Sequence, residues 1–243
     1  MSRRLDQLLV ERGLFESRAK AREAVEAGLV RVNGRVVLKP AASVAEDASI
    51  EAEAAHPWVG RGALKLEHAL ALWPVTVEGR AALDVGASTG GFTEALLARG
   101  ARRVWAVDVG RGQLHPRVAA DPRVASLEGV DARAVDGSLI EAPVELIVCD
   151  ASFIGLAKVL PAALALAGPG ADLVALVKPQ FEVGPERVGK GGLVRDAQAR
   201  ADAVAGVRAW LEGQGWTLQG EAESPIAGGD GNIEHLLWAR GPG

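Results

Sequence analysis

The fold is decided by the stretch Ala82-Leu83-Asp84-Val85-Gly86-Ala87-Ser88-Thr89-Gly90-Gly91-Phe92-Thr93, which predicts a strand, a glycine-rich turn and the start of a helix. Glycine lets a backbone approach a ligand closely, and the free N–H groups at a helix N-terminus can hold that ligand. Asp108 follows at the end of the next predicted strand, where an acid suits the hydroxyls of a ribose. Together these features predict a site for a nucleoside-containing cofactor.

Two cofactor classes fit such a turn, and the residues favour one of them. The turn Gly86–Gly91 lacks the second glycine of the dinucleotide pattern G-x-G-x-x-G. Asp84 would repel a pyrophosphate, whereas it would attract an amino or sulfonium group. The pattern therefore favours S-adenosylmethionine over NAD, with a plain strand–turn–helix unit that binds nothing as the alternative.

Outward from this turn, apolar strands alternate with helical segments. The predicted strands are Ala81–Val85, Arg103–Val109, Val124–Leu127, Glu145–Asp150, Ala171–Lys178, Trp216–Ala222 and Glu234–Ala239. The predicted helices are 63–72, 91–99, 155–167 and 196–213. This alternation predicts an α/β, doubly wound, mostly parallel and seven-stranded Rossmann-like sheet with helices on both faces.

The first quarter of the chain has a different pattern. Helices are expected over 5–12 and from Ser17 to about Gly28, followed by a hairpin around Asn33-Gly34 and a strand near 49–53. Pro57 and the glycines after it interrupt this pattern. We therefore expect a small α+β domain over 1–55, a linker over 56–62 and the larger domain over 63–243.

Charge is distributed unevenly along the 243 residues, whose net charge is −4. Residues 1–39 contain nine Lys/Arg and five Asp/Glu, a local net charge of +4, so the remainder carries −8. A basic N-terminal segment followed by an acidic remainder suits phosphate binding by that segment, although a solvated helix face explains the excess of basic residues equally well. The single Cys149, the absence of a signal-type apolar core near Met1 and the shortness of all apolar stretches lead us to expect a cytoplasmic protein without a membrane span.

The N-terminal unit resembles the small RNA-binding domain that is named after a small-subunit ribosomal protein. The resemblance rests on Arg3, Leu5-Asp6, Ser17-Arg18, Ala21 and Gly28–Gly34. It implies that basic residues of the helices and the hairpin grip RNA through its phosphates, without reading its sequence. The candidates are Arg18, Lys20, Arg22 and Arg31.

The larger domain resembles the heat-shock ribosomal RNA ribose methylase family, and most closely its hemolysin A (TlyA) subfamily. The matching residues are Asp84–Thr93, Asp108 and Gly110–Leu114. The resemblance implies S-adenosylmethionine as the cofactor, with Asp108 at the ribose and Asp131, where the subfamily usually has Asn, near the adenine. The sequence itself requires no metal, and we expect none. The other implied cofactor-binding residues are Asp84, Gly86, Ala87, Ser88, Thr89, Gly90 and Gly91.

Four residues match the lysine–aspartate–lysine–glutamate tetrad of that family: Lys65, Asp150, Lys178 and Glu234. Independently of the family, Asp150 and Lys178 stand at carboxyl ends of predicted strands, where ligands of doubly wound sheets bind. The implied roles are Lys178 as the group that accepts the ribose proton or stabilises charge, Asp150 as its orienting partner, and Lys65 and Glu234 as the rest of the network. Each residue taken alone is equally explained as a surface lysine or an ordinary ion pair.

Beyond Lys178, the glycine-rich and basic segment up to Asp196 is typical of a mobile loop over a ligand, or of an ordinary surface loop. Lys190 and Arg195 are its candidate phosphate contacts.

The expected function is S-adenosylmethionine-dependent 2′-O-ribose methylation of ribosomal RNA, with ribosomal RNA or a ribosomal subunit as partner, by a monomer or weak oligomer. Because the chain ends shortly after Arg240, it resembles the short type, which implies a cytidine of large-subunit RNA as the target. The alternatives are a catalytically silent RNA-binding assembly factor, a membrane-active hemolysin and, on fold alone, a dehydrogenase.

Overall fold

A computed structural model describes residues 2–141 and 143–243, and it divides the chain into two compact units, Met1–Pro57 and Trp58–Gly243. Each unit has its own hydrophobic core. The larger unit carries the glycine-rich turn and all four residues of the predicted tetrad.

The N-terminal unit consists of short elements around a small core. Its elements are β1 Ser2–Arg4, α1 Leu5–Glu11, α2 Arg18–Glu26, β2 Val30–Val32, β3 Arg35–Val36, β4 Ser43–Ala45 and β5 Ile50–Ala52. Helix α2 begins where predicted, because the Ser17 hydroxyl accepts a hydrogen bond from the Lys20 N–H at 3.3 Å. The hairpin turn has φ values of 49° at Asn33 and 76° at Gly34, which are the left-handed conformations that such a tight turn requires.

The strands of this unit form two small antiparallel sheets. Strand β2 lies between β3 and β5, both antiparallel to it. Strands β1 and β4 form a second antiparallel pair that the sequence did not predict, because each is only three residues long and shows little apolar alternation.

The larger unit alternates strands and helices. Its strands are β6 Ala81–Val85, β7 Arg103–Asp108, β8 Val124–Glu128, β9 Val144–Cys149, β10 Ala167–Val177, β11 Thr217–Glu223 and β12 His235–Arg240. Its helices are α3 Gly62–Leu72, α4 Gly91–Ala98, α5 Pro116–Ala119, α6 Leu156–Val159, α7 Pro161–Ala165, α8 Pro179–Glu182 and α9 Ala197–Gly213, with short 3₁₀ turns at Ala132–Ala134, Pro185–Arg187 and Lys190–Gly192.

The seven strands form one sheet in the order β11-β12-β10-β9-β6-β7-β8. Strands β10, β9, β6, β7 and β8 are parallel neighbours, and β12 runs antiparallel to both β10 and β11. The chain order reverses between β6 and β9, which makes this a topological switch point where ligands bind at the carboxyl ends of strands. The predicted α/β class and the mostly parallel sheet are therefore confirmed.

Both faces of the sheet are covered by hydrophobic side chains, as a parallel sheet requires. All five residues of β6 are buried, and Leu173–Val177 of β10 are at most 1% exposed. One core contains Leu83, Ile147 and Leu173, and the other contains Leu66, Leu96 and Leu176. Rigid packing on both sides fixes the strand ends that carry the candidate site.

The prediction of a single helix over 155–167 is wrong. The chain forms the two short helices α6 and α7 instead, and the break falls at Pro161. Proline has no N–H and its ring crowds the preceding turn, so it starts a helix rather than continuing one. Strand β10 then begins at Ala167, four residues before the predicted start.

The long helix α9 is amphipathic and packs on the sheet. Asp196 accepts a hydrogen bond from the Gln198 N–H at 2.9 Å and caps its start. Its buried residues recur at helical spacing and include Ala199, Ala203 and Val207. Across residues 2–141 and 143–243, no helix combines the length and the apolar character that crossing a membrane demands.

Candidate active site

The four residues of the predicted tetrad meet at one edge of the sheet. Asp150 follows β9 and Lys178 follows β10, and these strands are parallel neighbours. Because β12 is antiparallel, its amino end lies at that same edge, and Glu234 immediately precedes it. Lys65 comes from the first turn of α3, which packs near β12. The antiparallel direction of β12 is therefore what brings Glu234 to the site.

The four charges form a continuous chain of ion pairs. Lys65 Nζ lies 2.5 Å from Glu234 Oε2 and 3.8 Å from Asp150 Oδ2. Lys178 Nζ lies 2.7 Å from Asp150 Oδ1. Lys65, Lys178 and Glu234 are 6%, 8% and 2% exposed. Buried charges are stable only when paired, and here two cations offset two carboxylates.

A serine that the sequence analysis did not single out completes the surroundings of Lys178. Lys178 Nζ donates a hydrogen bond to Ser152 Oγ at 2.7 Å and a longer one, 3.2 Å, to the Asp150 carbonyl. The next residue, Phe153, has a φ of 66° and is 90% exposed, with its ring 5.4 Å from that of Phe181. A phenylalanine in the left-handed region is strained, which is typical of functional sites.

Two adjoining cavities lie at the site, and the larger one, of about 470 Å³, opens at the carboxyl ends of β6, β7 and β9. Pockets for small cofactors and ligands measure about 300–1,000 Å³. Its polar lining includes the predicted residues Gly86, Ser88, Asp108 and Asp131, together with Asp150. Its apolar lining is Val85, Val107, Val109, Val130, Ala132, Ala151, Phe153, Ile154 and Val159. Apolar walls with several carboxylates suit a nucleoside that carries hydroxyls and positive charge, and they disfavour a pyrophosphate.

Asp108 shapes the mouth of this cavity through backbone contacts. Its Oδ2 accepts a hydrogen bond from the Ser88 N–H at 2.8 Å, and its Oδ1 accepts one from Gly110 at 2.7 Å. Each carboxylate oxygen has a second lone pair, so these bonds orient the group without exhausting it. Asp108 thus connects the glycine-rich turn to the loop after β7.

Two glycines of the turn are required by close contacts. Gly86 has a φ of 83°, and a Cβ there would lie 2.9 Å from the Ala151 backbone. Gly90 has a φ of 93°, and its Cβ would lie 2.7 Å from Leu114 Cδ1. At both positions the backbone is left-handed and a Cβ atom would have no space, so glycine is required. The turn presses against the segment after Asp150 and brings the two halves of the site together.

Asp131 lines the cavity but is already engaged locally. Its carboxylate accepts hydrogen bonds from the Arg133 guanidinium at 2.6–3.0 Å and from the Arg133 N–H at 2.9 Å. These bonds lower the pKa of Asp131 to about 2. The aspartate is therefore ionised and acts as an acceptor only.

Asp84 lies beneath the turn and is fully buried. Its Oδ2 accepts a hydrogen bond from the Thr93 hydroxyl at 2.7 Å, and within the described part of the chain its buried Oδ1 has no hydrogen-bond partner. Burial raises the pKa of Asp84 to about 7, against the lowering effect of Thr93. Asp84 is not among the residues that line the two cavities of the site, so its contact with a cofactor stays a prediction.

We expect Asp84→Asn to remove part of the pH dependence of stability. A carboxyl whose folded pKa is raised favours the folded state fully below its unfolded pKa, and that contribution is lost as the pH rises to about 7. The wild type should therefore lose stability relative to Asp84→Asn between about pH 4 and pH 7. Thermal unfolding of both cofactor-free proteins across this range measures the difference. Parallel curves would contradict a buried, mostly protonated Asp84.

A second cavity, of about 180 Å³, lies against Lys178. It shares Gly86, Ser88, Asp150 and Ser152 with the larger cavity. The predicted residues Ala87, Thr89 and Gly91 line this smaller space together with Gly62, Phe92 and Lys178. Gly90, in contrast, faces Leu114 and Val118. The predicted site residues thus divide between two adjoining spaces that meet at Asp150 and Ser152.

The loop after Lys178 is held by a buried asparagine that the sequence analysis also missed. Asn232 is 2% exposed, and its Oδ1 accepts the Val194 N–H at 2.9 Å. Its amide group donates to the Gly192 carbonyl at 2.9 Å and to Asp230 at 2.8 Å. Lys190 and Arg195 lie at exposed positions of this same loop. The loop is therefore tied to the segment that leads into Glu234.

The predicted RNA contacts of the N-terminal unit are partly engaged in ion pairs. Arg18 lies 2.9 Å from the fully buried Asp6, whose pKa the arginines Arg4 and Arg18 hold well below its usual range. The pairs of Lys20 with Glu16 and of Arg22 with Glu26 are longer, at 3.8 and 3.9 Å. The exposed Arg31 donates to the Gly34 carbonyl at 3.3 Å. Arg18 therefore stabilises this unit whether or not it also contacts RNA.

Acidic, histidine and cysteine side chains are the groups that could bind a metal ion in this protein. No cluster of three or more of them that could hold a metal ion occurs within 2–141 and 143–243. The site brings together lysines, carboxylates and a serine hydroxyl around two joined cavities.

Comparisons with known proteins give the site its family. The model of the FtsJ-like methyltransferase family matches residues 58–241, and that of the S4 domain matches residues 3–50. The 16S/23S rRNA (cytidine-2'-O)-methyltransferase TlyA of Mycobacterium tuberculosis is 48% identical over 98% of this chain and 89% of its own length. Hemolysin A of Brachyspira hyodysenteriae is 37% identical over 96% of this chain and 98% of its own length.

A solved structure agrees with these matches. It is that of a proposed hemolysin from Streptococcus thermophilus, with a TM-score of 0.79 and 39% identity over 99% of this chain and 89% of that one. The family match covers more than half of the chain, and the resemblance found in the sequence is confirmed. The chain belongs to the FtsJ-like methyltransferase family, in the group that contains TlyA and hemolysin A, and it carries an S4 domain at residues 3–50.

Proposed function

We propose that this protein transfers a methyl group from S-adenosylmethionine to the 2′-oxygen of a cytidine in ribosomal RNA, with large-subunit RNA as the expected target. The observation that carries the proposal is the buried chain Glu234–Lys65–Asp150–Lys178 beside the cofactor-sized cavity. The printed activity of the Mycobacterium tuberculosis relative, which is 48% identical, supports the same reaction. We also propose that the protein acts in the cytoplasm, which is consistent with ribosomal RNA as its substrate.

The residues fit S-adenosylmethionine as the cofactor. Residues of the turn Gly86–Gly91 line both cavities, and Asp108 is oriented by Ser88 and Gly110 with acceptor capacity to spare for ribose hydroxyls. Asp131, as a permanent acceptor, suits an exocyclic amino group of adenine. When bound, S-adenosylmethionine supplies a methyl group on a positively charged sulfur. The carboxylates around the cavity favour that charge.

The residues of the tetrad prepare the ribose hydroxyl. In this proposal Lys178 faces the 2′-oxygen and either accepts its proton or stabilises the negative charge that develops on it. Asp150 holds Lys178 by an ion pair of 2.7 Å and also borders the cofactor cavity. Lys65 holds Asp150 and Glu234 in place from the other side. Burial of this network excludes water and strengthens each electrostatic interaction.

The S4 domain supplies the grip on RNA in this proposal. Arg22 and Arg31 are exposed and their pairings are long or weak, so they are the better candidates for phosphate contacts than Arg18. Such contacts position RNA without selecting a base. Lys190 and Arg195 of the loop after Lys178 are proposed as further phosphate contacts near the reacting ribose.

The direct test is methyl transfer by the purified full chain. The wild type is incubated with radiolabelled S-adenosylmethionine and ribosomal subunits from a strain that lacks this gene, and the RNA is digested to nucleosides. We expect label in 2′-O-methylcytidine from the large subunit. Label only in a methylated base, or tight binding of NAD in place of S-adenosylmethionine, would contradict the proposal.

A further inference from the structure

We propose that Ser152 is a positioning residue for the methyl transfer: its hydroxyl sets the direction in which the Lys178 side chain faces. The inference rests on the proposed function, because it assigns a role within the same reaction. Ser152 is absent from the lysine–aspartate–lysine–glutamate tetrad, and its role follows from the geometry around Lys178 alone.

The hydrogen bond to Ser152 is the short directional contact of Lys178. Nζ lies 2.7 Å from Ser152 Oγ, against 3.2 Å from the Asp150 carbonyl. The ion pair with Asp150 Oδ1 is also 2.7 Å long, but among the residues that the structure describes this oxygen accepts no hydrogen bond, so the approach is off the line that such a bond requires. Asp150 therefore attracts the ammonium, while Ser152 fixes its rotation.

The backbone around Ser152 is built to hold it there. The following Phe153 adopts the strained φ of 66°, and its ring contacts Phe181, three residues beyond Lys178. On the other side, Ala151 lies directly over Gly86, where a Cβ would come within 2.9 Å. Both neighbours of Ser152 thus contact other parts of the site, and in this conformation its hydroxyl accepts the hydrogen bond from Lys178.

Ser152 also stands where the two cavities join. It lines both the space of about 470 Å³ and the space of about 180 Å³ that contains Lys178. The residues shared by both are Gly86, Ser88, Asp150 and Ser152, and Ser152 is the one whose side chain hydrogen-bonds Lys178. If the cofactor occupies the larger space and the ribose the smaller, as the proposed reaction requires, the reacting atoms meet at this junction, where Ser152 holds Lys178.

Variants at the exposed Ser152 separate the effect of the hydroxyl group from that of side-chain size. Ser152→Thr keeps the hydroxyl, whereas Ser152→Val has nearly the same shape as threonine but no hydroxyl. We expect Ser152→Ala and Ser152→Val to lower the single-turnover rate about ten- to a hundredfold, as for a misplaced catalytic group. Ser152→Thr should stay within about threefold of the wild type, and so should Ser126→Ala, an exposed serine on β8. Affinities for S-adenosylmethionine and for ribosomal subunits should not change.

A double-mutant cycle tests whether Ser152 acts through Lys178. In the Lys178→Ala background, Ser152→Val should cause no further loss of rate, because the group that it positions is gone. Equal rate losses in both backgrounds, or a wild-type rate for Ser152→Val, would overturn the proposal while leaving the proposed function intact. A wild type that transfers no methyl group to ribosomal subunits would overturn the proposed function and this proposal with it.

Discussion

We expect Lys178→Ala to lower the rate of methyl transfer in a single turnover by at least about a hundredfold, the lower end for losing a positioned acid–base or electrostatic group. Lys178 follows the buried stretch Leu173–Val177, so its backbone is fixed by the sheet. Its Nζ is held by Asp150 and Ser152 at the edge of the smaller cavity. A truncated side chain leaves the ribose hydroxyl without this cation.

The measurement uses saturating ribosomal subunits and saturating S-adenosylmethionine, so that weaker binding does not lower the rate. Lys178→Arg should not restore activity, because a guanidinium stays protonated and differs in shape. Lys158→Ala, at an exposed position of α6, serves as the matched lysine control with a normal rate. If Lys178→Ala keeps more than about a tenth of the wild-type rate, its activation free energy has risen by less than about 1.4 kcal/mol. That result would show that Lys178 is not the reacting centre.

The second large effect is on stability. We expect Lys65→Met to lower the free energy of unfolding by about 3–5 kcal/mol, the cost of breaking a buried ion pair from one side. Lys65 Nζ lies 2.5 Å from Glu234 Oε2, and the side chains are 8% and 3% exposed. Without the lysine, the Glu234 carboxylate is buried with no compensating cation. Chemical denaturation of the cofactor-free chain measures the change.

The double variant Lys65→Met with Glu234→Leu is the control for this interpretation. Removing both charges leaves an apolar pair of similar size, which is often neutral or stabilising relative to a buried ion pair. The double variant should therefore recover most of the stability while remaining inactive. If it is as unstable as Lys65→Met, the loss comes from packing on α3 rather than from the unpaired Glu234.

The sequence predicted those parts of the site that depend on strand ends. Asp150 and Lys178 follow apolar strands, and parallel strands bring their carboxyl ends to a common edge. The position of Glu234 also depends on the antiparallel direction of β12, which the strand pattern does not predict. Glu234 was identified from the family resemblance, and the direction of β12 explains why it lies at the site. Their proximity is a property of the structure, and their catalytic roles stay predictions.

Contacts that depend on loop conformation could not be predicted in this way. Ser152 reaches Lys178 from a loop in which the next residue, Phe153, has a left-handed backbone, and no local signal predicts that conformation for a phenylalanine. Asn232 connects segments that lie about forty residues apart in the sequence, Gly192 and Val194 included. Ion pairs between residues close in sequence, such as Asp131 with Arg133, do not affect the hydrophobic periodicity and so could not be predicted from it either.

The most direct test of the central claim is a map of 2′-O-methylated nucleotides in ribosomal RNA. It compares cells that lack this gene with the same cells carrying either the wild-type gene or Lys178→Ala. We expect a 2′-O-methylcytidine in large-subunit RNA that is absent from the deletion strain, restored by the wild type and not restored by Lys178→Ala at equal protein level. Identical maps from the deletion and wild-type strains, or full restoration by Lys178→Ala, would contradict it.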